Sequence, residues 1–250
     1  MKKSDIAGVF ANFGHFSRWH PEVAIRYLPI VEKIKILGDN VSVLEVGSGG
    51  LGIAPYLKRK VVGVDTHFSP PFHKLLQQVV ANATNLPFSD NAFDVVISID
   101  ALEHILPSSR DRVIKELVRV GKYKIILAVP CGRRSYQQDV LLDKKYQEKF
   151  GRSYFFLEEQ VKYGLPEQSD FVARLRRYAK KKHIPFTISI FGNEDFRIRY
   201  FLMQGWMTRS FFVDIFFRKI LLFFLPLLMI TRGPTYRQIF QLEFFYENRN

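Results

Sequence analysis

Cysteine is nearly absent from this chain of 250 residues, which contains only Cys131. A disulfide within the chain is therefore excluded, and with it the class of small secreted domains held together by disulfides. The same scarcity excludes a cysteine-rich zinc site within the chain. The scattered His, Asp and Glu residues show no metal-ligand spacing, so the sequence predicts no metal site. We interpret Cys131, which follows an apolar run, as a packed thiol in a reducing compartment.

Long uncharged apolar segments are also missing. Residues 1–6 begin with positive charge but lack the sustained apolar run of a signal peptide. The uncharged apolar run of residues 220–230 contains eleven residues, whereas a membrane-spanning helix needs about 20. Internal repeats and low-complexity tracts are absent as well. We therefore expect a cytoplasmic protein, with peripheral attachment to the inner membrane surface as an open alternative.

Acidic residues are scarce relative to basic ones, with 24 Asp and Glu against 37 Lys and Arg and a formal net charge of +13. The excess is uneven: residues 1–130 hold 16 basic and 12 acidic side chains, and residues 131–250 hold 21 and 12. Such a balance indicates an anionic partner. Nucleic acid, an anionic membrane surface and a phosphorylated substrate all remain open from charge alone.

A glycine-rich turn is the most informative feature that the chain does contain. Residues 41–46 form a short apolar run typical of a strand covered on both faces. The pattern Gly47-x-Gly49-x-x-Gly52 follows it directly. Glycines there permit a tight strand-to-helix turn, and they let backbone N–H groups approach a ligand that a Cβ atom would keep away.

Two acidic residues indicate which ligand this turn binds. Asp65 ends the next apolar run, where a doubly wound sheet places the acid that holds a ribose diol. Glu45 lies two residues before Gly47, and a carboxylate there would repel a pyrophosphate by ~4 kcal/mol at ~4 Å and an effective dielectric constant near ~20. It would suit a cation, and S-adenosylmethionine (SAM) carries a sulfonium and an ammonium but no phosphate. The turn is therefore predicted to bind SAM rather than a dinucleotide.

These motifs resemble those of the class I SAM-dependent methyltransferases. Glu45-x-Gly47-x-Gly49 is similar to the first motif of that family, and Asp65 is similar to the second. Residues 81–98 (ANATNLPFSDNAFDVVIS) and Leu102-Glu103-His104 resemble the branch that acts mainly on small molecules, lipids and glycans. The resemblance is strong over residues 41–130. It implies an α/β fold with a seven-stranded, doubly wound, mostly parallel sheet.

The resemblance also implies which residues contact the cofactor. Where the family has Gly-Asp-Ala, this chain has Ala81-Asn82-Ala83, and the Asn82 carbonyl oxygen can still accept from the adenine amino group. Asp100, after the fourth strand, is expected near the methionine part of SAM. The predicted cofactor-binding residues are Glu45, Gly47, Ser48, Gly49, Gly52, Asp65, Asn82, Ala83 and Asp100.

Apolar spacing predicts one domain over residues 1–250 in which strands and helices alternate. A leading helical segment occupies residues 1–40, and its Trp19, His20 and Tyr27 either cover the cofactor or simply pack on the sheet. The segment 131–169 is predicted to be polar and irregular, with a helical stretch near 140–150. Strands are predicted at 41–46, 61–65, 78–81, 94–99, 124–129, 186–191 and 237–246, and helices at 16–36, 53–60, 72–77, 109–120 and 171–183.

A long apolar insertion, residues 194–235, separates the sixth and seventh predicted strands. A structureless loop of that length is improbable, so we expect helices. Two interpretations stay open: a buried helical subdomain or dimer surface, and an interfacial segment that dips into a membrane. Asp214, Arg218, Lys219 and Pro226 argue against a true span.

His104 is the candidate catalytic residue. Methyl transfer from a sulfonium needs alignment above all, and it needs a base only where the acceptor must lose a proton early, as an alcohol does. The ordinary pKa of histidine is near working pH, although a structural role for His104 remains the alternative. We predict a methyltransferase that acts on oxygen of a small or lipid- or glycan-linked acceptor. An RNA methyltransferase and a non-catalytic SAM-binding scaffold are the alternatives.

Overall fold

A central sheet of seven strands organises the chain in the computed structural model, which describes residues 20–246. The strands are β1 (Val43–Val46), β2 (Val61–Asp65), β3 (Leu76–Val80), β4 (Phe93–Ile99), β5 (Gly121–Pro130), β6 (Phe186–Asp195) and β7 (Thr235–Phe244). Their order across the sheet is β3-β2-β1-β4-β5-β7-β6. The first five strands run parallel, and β7 lies antiparallel between β5 and β6. The predicted fold class is confirmed.

Helices cover both faces of this sheet. They are α1 (Pro21–Lys35), α2 (Ala54–Leu57), α3 (Pro107–Val120), α4 (Gly132–Phe150), α5 (Phe155–Tyr163), α6 (Gln168–Lys180), α7 (Phe196–Trp206), α8 (Phe211–Arg218) and α9 (Leu225–Leu228), with 3₁₀ turns at Leu102–His104 and Ile220–Phe224. One core cluster joins the sheet to α1, α2 and the helical insertion, and a second joins it to α3 and α6. The central strand β1 is buried throughout, which explains its nearly continuous apolar run.

Three local predictions were wrong. No helix forms over 72–77, because β3 begins at Leu76 and pairs in parallel with β2, and this pairing outweighs a weak local helical pattern. The predicted helix over 53–60 is only the short α2, which ends where Lys58 adopts a left-handed conformation.

The third error concerns part of residues 131–169. The helical stretch predicted near 140–150 lies within α4, but α4 already begins at Gly132, and α5 was not predicted. The buried face of α4 consists mainly of polar residues, namely Ser135, Asp139 and Asp143 beside Leu142. A helix with a polar inner face lacks the apolar periodicity by which amphipathic helices are found in a sequence.

The insertion between β6 and β7 is helical, as predicted. Its inner face reaches the first core cluster through Phe217, Leu221, Leu222, Leu225 and Leu228, all of which are buried. Part of the apolar insertion therefore belongs to the core. Over residues 20–246, no helix is long and apolar enough to cross a membrane.

The leading segment is seen from residue 20 onward, and α1 begins at Pro21. His20 packs against Trp206, with 5.0 Å between ring centroids, and Tyr27 stacks on Tyr56 at 5.2 Å. The predictions made for residues 1–6 and for Trp19 lie outside the described residues.

Candidate functional site

The glycine turn after β1 forms an open cradle. The Gly47 N–H donates to the Val64 carbonyl at 2.8 Å, which ties the turn to β2. Gly47 has φ +80°, and a Cβ atom there would lie 2.4 Å from the Ala101 Cβ atom. Gly49 has φ +55°, but a Cβ atom there would meet no heavy atom within 4 Å. Gly47 is therefore required by packing, while Gly49 borders open space that a ligand can fill.

Asp65 closes one side of this cradle at the end of β2. Its Oδ2 atom accepts from the Gly49 N–H at 2.9 Å, and its Oδ1 atom accepts from the Thr66 N–H at 2.7 Å. A carboxylate oxygen can accept more than one hydrogen bond, so Asp65 can hold the turn and still accept from a ribose hydroxyl. The cradle and this carboxylate fit the adenosine part of SAM.

Two residues of the turn face away from the cradle. Ser48 is buried, and its hydroxyl occupies the space that a Cβ atom at Gly63 would need, at 2.5 Å. Gly52 has φ +52°, and a Cβ atom there would lie 2.3 Å from the Oε2 atom of Glu45. Ser48 can therefore offer a ligand only its backbone. Glycine is required at position 52 because a side chain there would collide with the Glu45 carboxylate.

The Glu45 carboxylate lies in the core rather than against the cofactor, which corrects the expectation of direct contact with a cation. Its side chain is fully buried, and Oε2 accepts from the Ile53 N–H at 2.6 Å. Burial raises the pKa of Glu45 to about 8, although the Ile53 N–H and the Tyr27 hydroxyl oppose the shift. Glu45 therefore fixes the turn against the start of α2.

The burial of Glu45 predicts a specific pH dependence. Because its pKa is higher in the folded chain than the ordinary 4.5, the folded chain binds more protons between these two values. The unfolding free energy should therefore fall as pH rises through this window. Glu45→Gln removes this ionisation. Between pH 5 and pH 8 the unfolding free energy of the variant, relative to that of the native chain, should therefore rise by on the order of 3 kcal/mol. Urea unfolding of both proteins at each pH measures the difference; parallel pH curves would contradict it.

Asn82 uses its carbonyl oxygen within its own loop. Its Oδ1 atom accepts from the Thr84 N–H at 2.9 Å and from the Thr84 hydroxyl at 2.8 Å. The predicted bond from the adenine amino group to this oxygen would have to compete with both. The amide N–H groups are what Asn82 can offer instead. Ala83 packs against the second core cluster.

Asp100 ends β4 with a left-handed backbone conformation, φ +48°. The Arg237 guanidinium on β7 donates two hydrogen bonds of 2.5 Å to the Asp100 carboxylate. The Arg26 Nη1 atom on α1 lies 3.3 Å from the Asp100 Oδ2 atom. Burial acts to raise the pKa of Asp100, but the two arginines outweigh it and hold that pKa below its ordinary value. Asp100 is therefore an ionised group fixed beside Ala101, which touches the glycine turn.

A cavity of about 240 Å³ opens beside Asp100, at the carboxyl end of β4. Arg26 and Glu22 of α1 form one wall, and Trp206 of α7 forms another. The Trp206 ring N–H donates to Glu22 at 2.7 Å, and Glu22 also pairs with Arg26 at 2.6 Å. The aromatic and apolar lining residues are Tyr154, Phe156, Leu157, Met203 and Trp206. This cavity has the mixed lining of a small-molecule site.

His104 lines the same cavity. Its Nδ1 atom lies 2.8 Å from the Oε2 atom of Glu159 on α5, and its ring meets Phe156 edge-on. Burial lowers the pKa of His104 below 6.5, although Glu159 acts to raise it. A neutral ring that donates from Nδ1 to Glu159 keeps the lone pair on Nε2, which is the arrangement of a general base.

Glu103, next in sequence, is fully buried, and neither of its carboxylate oxygens has a hydrogen-bond partner within residues 20–246. Burial raises the pKa of Glu103 well above its ordinary value. We therefore assign it the protonated form. Over the described part of the chain, no group of three or more His, Cys, Asp and Glu is placed to hold a metal ion.

Several residues of this site had no signal in the sequence. Glu159 lies on a helix that was not predicted, 55 residues from His104. Arg237 lies in a predicted strand, but nothing local links it to Asp100, which is 137 residues away. A buried arginine within an apolar strand is the one feature that could have drawn attention to it, because such a charge needs a partner.

Comparison with known proteins relates part of the chain to methyltransferases. Residues 44–128 match a family model described as a methyltransferase domain. A glycine/sarcosine/dimethylglycine N-methyltransferase of Actinopolyspora halophila is 32% identical over 96 residues, which cover 36% of this chain and 17% of that protein. The match therefore spans only a small part of the relative's length.

Two solved structures share the fold. A SAM-dependent methyltransferase from Thermotoga maritima aligns with a TM-score of 0.50 at 15% identity, over 94% of this chain and 98% of that one. The cyclase SpnF aligns with a TM-score of 0.53 at 17% identity, over 89% and 81%. The resemblance to class I SAM-dependent methyltransferases is confirmed.

Proposed function

We propose that this chain transfers a methyl group from SAM to a hydroxyl oxygen of a small or lipid- or glycan-linked acceptor. The observation that carries the proposal is the pair formed by His104 and Glu159 in the wall of a cavity beside the glycine turn. When bound, SAM supplies a methyl group on a sulfonium, with a neutral leaving group. The residues of the chain bind both molecules and accept the acceptor's proton.

The cofactor cradle and the acceptor cavity are adjacent. Ala101 touches the position of Gly47, and Asp100, which precedes Ala101, lines the cavity. Asp100 can thus face the methionine part of SAM from the edge shared by both sites. Asp100 would hold that part of SAM at the edge of the cavity, and alignment of the methyl donor with the acceptor supplies much of the rate in methyl transfer.

The cavity wall favours a polar acceptor with an apolar part. Its arginines are matched by acids, since Arg26 pairs with Glu22 and Asp100, and Arg199 pairs with Asp139 at 2.7 Å. The wall therefore presents hydrogen-bonding groups without a large net charge. Tyr154, Phe156 and Trp206 offer flat surfaces on which an apolar ring or chain can pack.

In this proposal His104 accepts the acceptor's proton on Nε2, an atom that lies 4.0 Å from Oε1 of Glu103. Glu159 fixes the ring through Nδ1 and stabilises the imidazolium that forms. A hydroxyl acceptor benefits from such a base, because its oxygen is a weak nucleophile until its proton begins to leave. This requirement supports oxygen as the atom methylated.

The cofactor site is tested by two variants measured by calorimetry with SAM. Asp65→Ala removes the acceptor for a ribose hydroxyl and should weaken SAM binding by about 10- to 100-fold, since a hydrogen bond to a charged group contributes ~1.5–3 kcal/mol. Gly49→Leu fills the open cradle with a side chain and should weaken SAM binding by a similar factor. Gly49 is the better probe than Gly47, where a side chain would also collide with Ala101.

Gly151→Leu is the matched control, because Gly151 also has a positive φ, +71°, and open space around its Cβ position. It should bind SAM as the native chain does. Unchanged affinity in both site variants, or tight binding of NAD with none of SAM, would overturn the site assignment. Release of S-adenosylhomocysteine in the presence of hydroxyl acceptors separates an enzyme from a non-catalytic scaffold, and its absence across a broad acceptor panel would support the scaffold.

A further inference from the structure

The helical insertion has a second, outward face that the described part of the chain leaves uncovered. While its inner residues lie in the core, large apolar side chains on α8, α9 and the turn between them are 37–81% exposed. We call these residues the docking face: Phe211, Phe212, Phe216, Ile220, Phe224 and Leu227. Large apolar side chains exposed close together along the chain indicate an interaction site.

Basic side chains flank the docking face along the chain. Arg209, Arg218, Lys219 and Arg232 are exposed, and the one acidic residue between them, Asp214, forms an ion pair with Arg218 at 2.7 Å. The Arg209 guanidinium also lies beside the α4 terminus, where it donates to the Lys149 carbonyl at 3.2 Å. The apolar segment therefore carries exposed basic side chains at both of its ends and between its helices.

We propose that the docking face binds the surface of an anionic lipid membrane. Apolar side chains on a short helix can enter the region between headgroups and acyl chains, and Lys and Arg beside them are attracted to anionic headgroups. The docking face has both features, since it combines exposed apolar side chains with nearby basic side chains. A second copy of the chain would bring the same basic side chains close to one another, which disfavours a symmetric dimer through this face.

Arg218, which lies on the same helix as part of the docking face, connects that helix to the acceptor cavity. Trp206 forms part of the cavity wall, and the Arg218 guanidinium of α8 lies 5.9 Å from the centre of its ring. Docking would therefore bring the cavity close to the membrane surface, where a lipid-linked acceptor is located. This last step rests on the proposed function, whereas membrane binding itself does not.

Sedimentation with lipid vesicles tests the proposal on the full chain without cofactor. One set of vesicles contains phosphatidylcholine alone and the other contains equal parts of phosphatidylcholine and phosphatidylglycerol. The native protein should sediment with the anionic vesicles, and binding should weaken in ~0.5 M salt, where surface charges are screened. The double variant Phe224→Glu/Leu227→Glu should lower the partition coefficient by about a hundredfold or more.

Leu106→Glu/Phe245→Glu is the matched control. Leu106 and Phe245 lie outside the insertion, and they are 53% and 50% exposed, against 62% and 48% for Leu227 and Phe224. The control introduces the same residues and the same charge, so it should bind vesicles as the native protein does. A further variant, Arg209→Gln/Arg232→Gln, should lose about fivefold in binding for each arginine and much of the salt dependence.

Three results would overturn the proposal. The native protein could fail to sediment with anionic vesicles, the docking-face and control variants could bind equally, or light scattering could show a dimer that Phe224→Glu/Leu227→Glu dissociates. Calorimetry with SAM on the same variants keeps the two proposals separate. If Phe224→Glu/Leu227→Glu loses vesicle binding but keeps its SAM affinity, the docking face is separate from the cofactor site. If the native protein binds vesicles but does not bind SAM, the proposed function fails and the membrane proposal stands.

Discussion

His104→Ala should lower the turnover number by about two to four orders of magnitude with a hydroxyl acceptor, the range that general-base catalysis contributes. SAM affinity should change little, because His104 lines the acceptor cavity beyond Asp100 rather than the glycine turn. Isotope-labelled methyl transfer under single-turnover conditions measures the first quantity, and calorimetry measures the second.

The pH profile distinguishes a base from a structural histidine. The native rate should fall as pH drops through the pKa of His104, which burial holds below 6.5. Glu159 acts to raise that pKa, so Glu159→Gln should move the acidic limb to lower pH while reducing the rate about tenfold. A residue that only supports the fold would leave the limb in place.

His183→Ala is the control, since His183 is exposed, and it should retain the native rate. Near-native turnover by His104→Ala would assign His104 to structure. It would also favour an acceptor that needs no early proton loss, such as an amine.

Arg237→Ala should lower the unfolding free energy by about 3–5 kcal/mol near pH 8, the usual effect of removing one partner from a buried ion pair. Arg237 is 2% exposed and contacts Asp100 at 2.5 Å and Glu194 at 2.9 Å. Its removal leaves Asp100 with Arg26 as its remaining counter-charge and takes away the ion-pair partner of Glu194. SAM affinity should fall too, because Asp100 loses the contact that positions it.

The loss should depend on pH in a defined direction. Arg237 helps to hold the pKa of Asp100 below its ordinary value, so the stabilisation is present above that ordinary value and is lost as pH falls through the lowered pKa. In the variant the carboxyl groups of Asp100 and Glu194 lack the arginine, so they take up protons at higher pH than in the native protein. The difference in unfolding free energy between the variant and the native protein should therefore narrow from pH 8 toward pH 5. Urea unfolding at several pH values measures it.

Arg218→Ala provides the comparison, since Arg218 pairs with Asp214 on the surface at 51% and 37% side-chain exposure. Exposed pairs of this kind contribute ~0.3–0.5 kcal/mol. If Arg237→Ala does not fold, Asp100→Asn tests the same contact with less disruption. Equal losses for Arg218→Ala and for the buried pair would show that the ionic cluster adds nothing to stability.

The sequence by itself determined the elements whose contacts are local. The turn from β1, its glycines and the end of β2 lie within 25 residues, and each strand there is a short apolar run bounded by a turn. The order of the seven strands along the chain followed from the same periodicity. The helical nature of the insertion followed from its length and apolar composition, because a structureless loop of that length is improbable. In these segments the residues that decide the conformation are close neighbours along the chain.

Only the tertiary structure decided what depends on distant partners. It placed β3 rather than a helix at Leu76, because β2 was available as a neighbour. It turned the Glu45 carboxylate inward to the Ile53 N–H, although the sequence suggested contact with a cation. It also gave α4 a polar inner face, which no apolar pattern marks.

The same limit applies to the site. His104 and Asp100 could be singled out from their place after β4, but Glu159 and Arg237 reach them only because α5 and β7 fold over that edge of the sheet. The insertion was recognisably apolar in sequence, yet its division into a buried face and a docking face depends on packing against α1. Residue types fix which contacts are favourable, and the fold determines which of them are brought within reach.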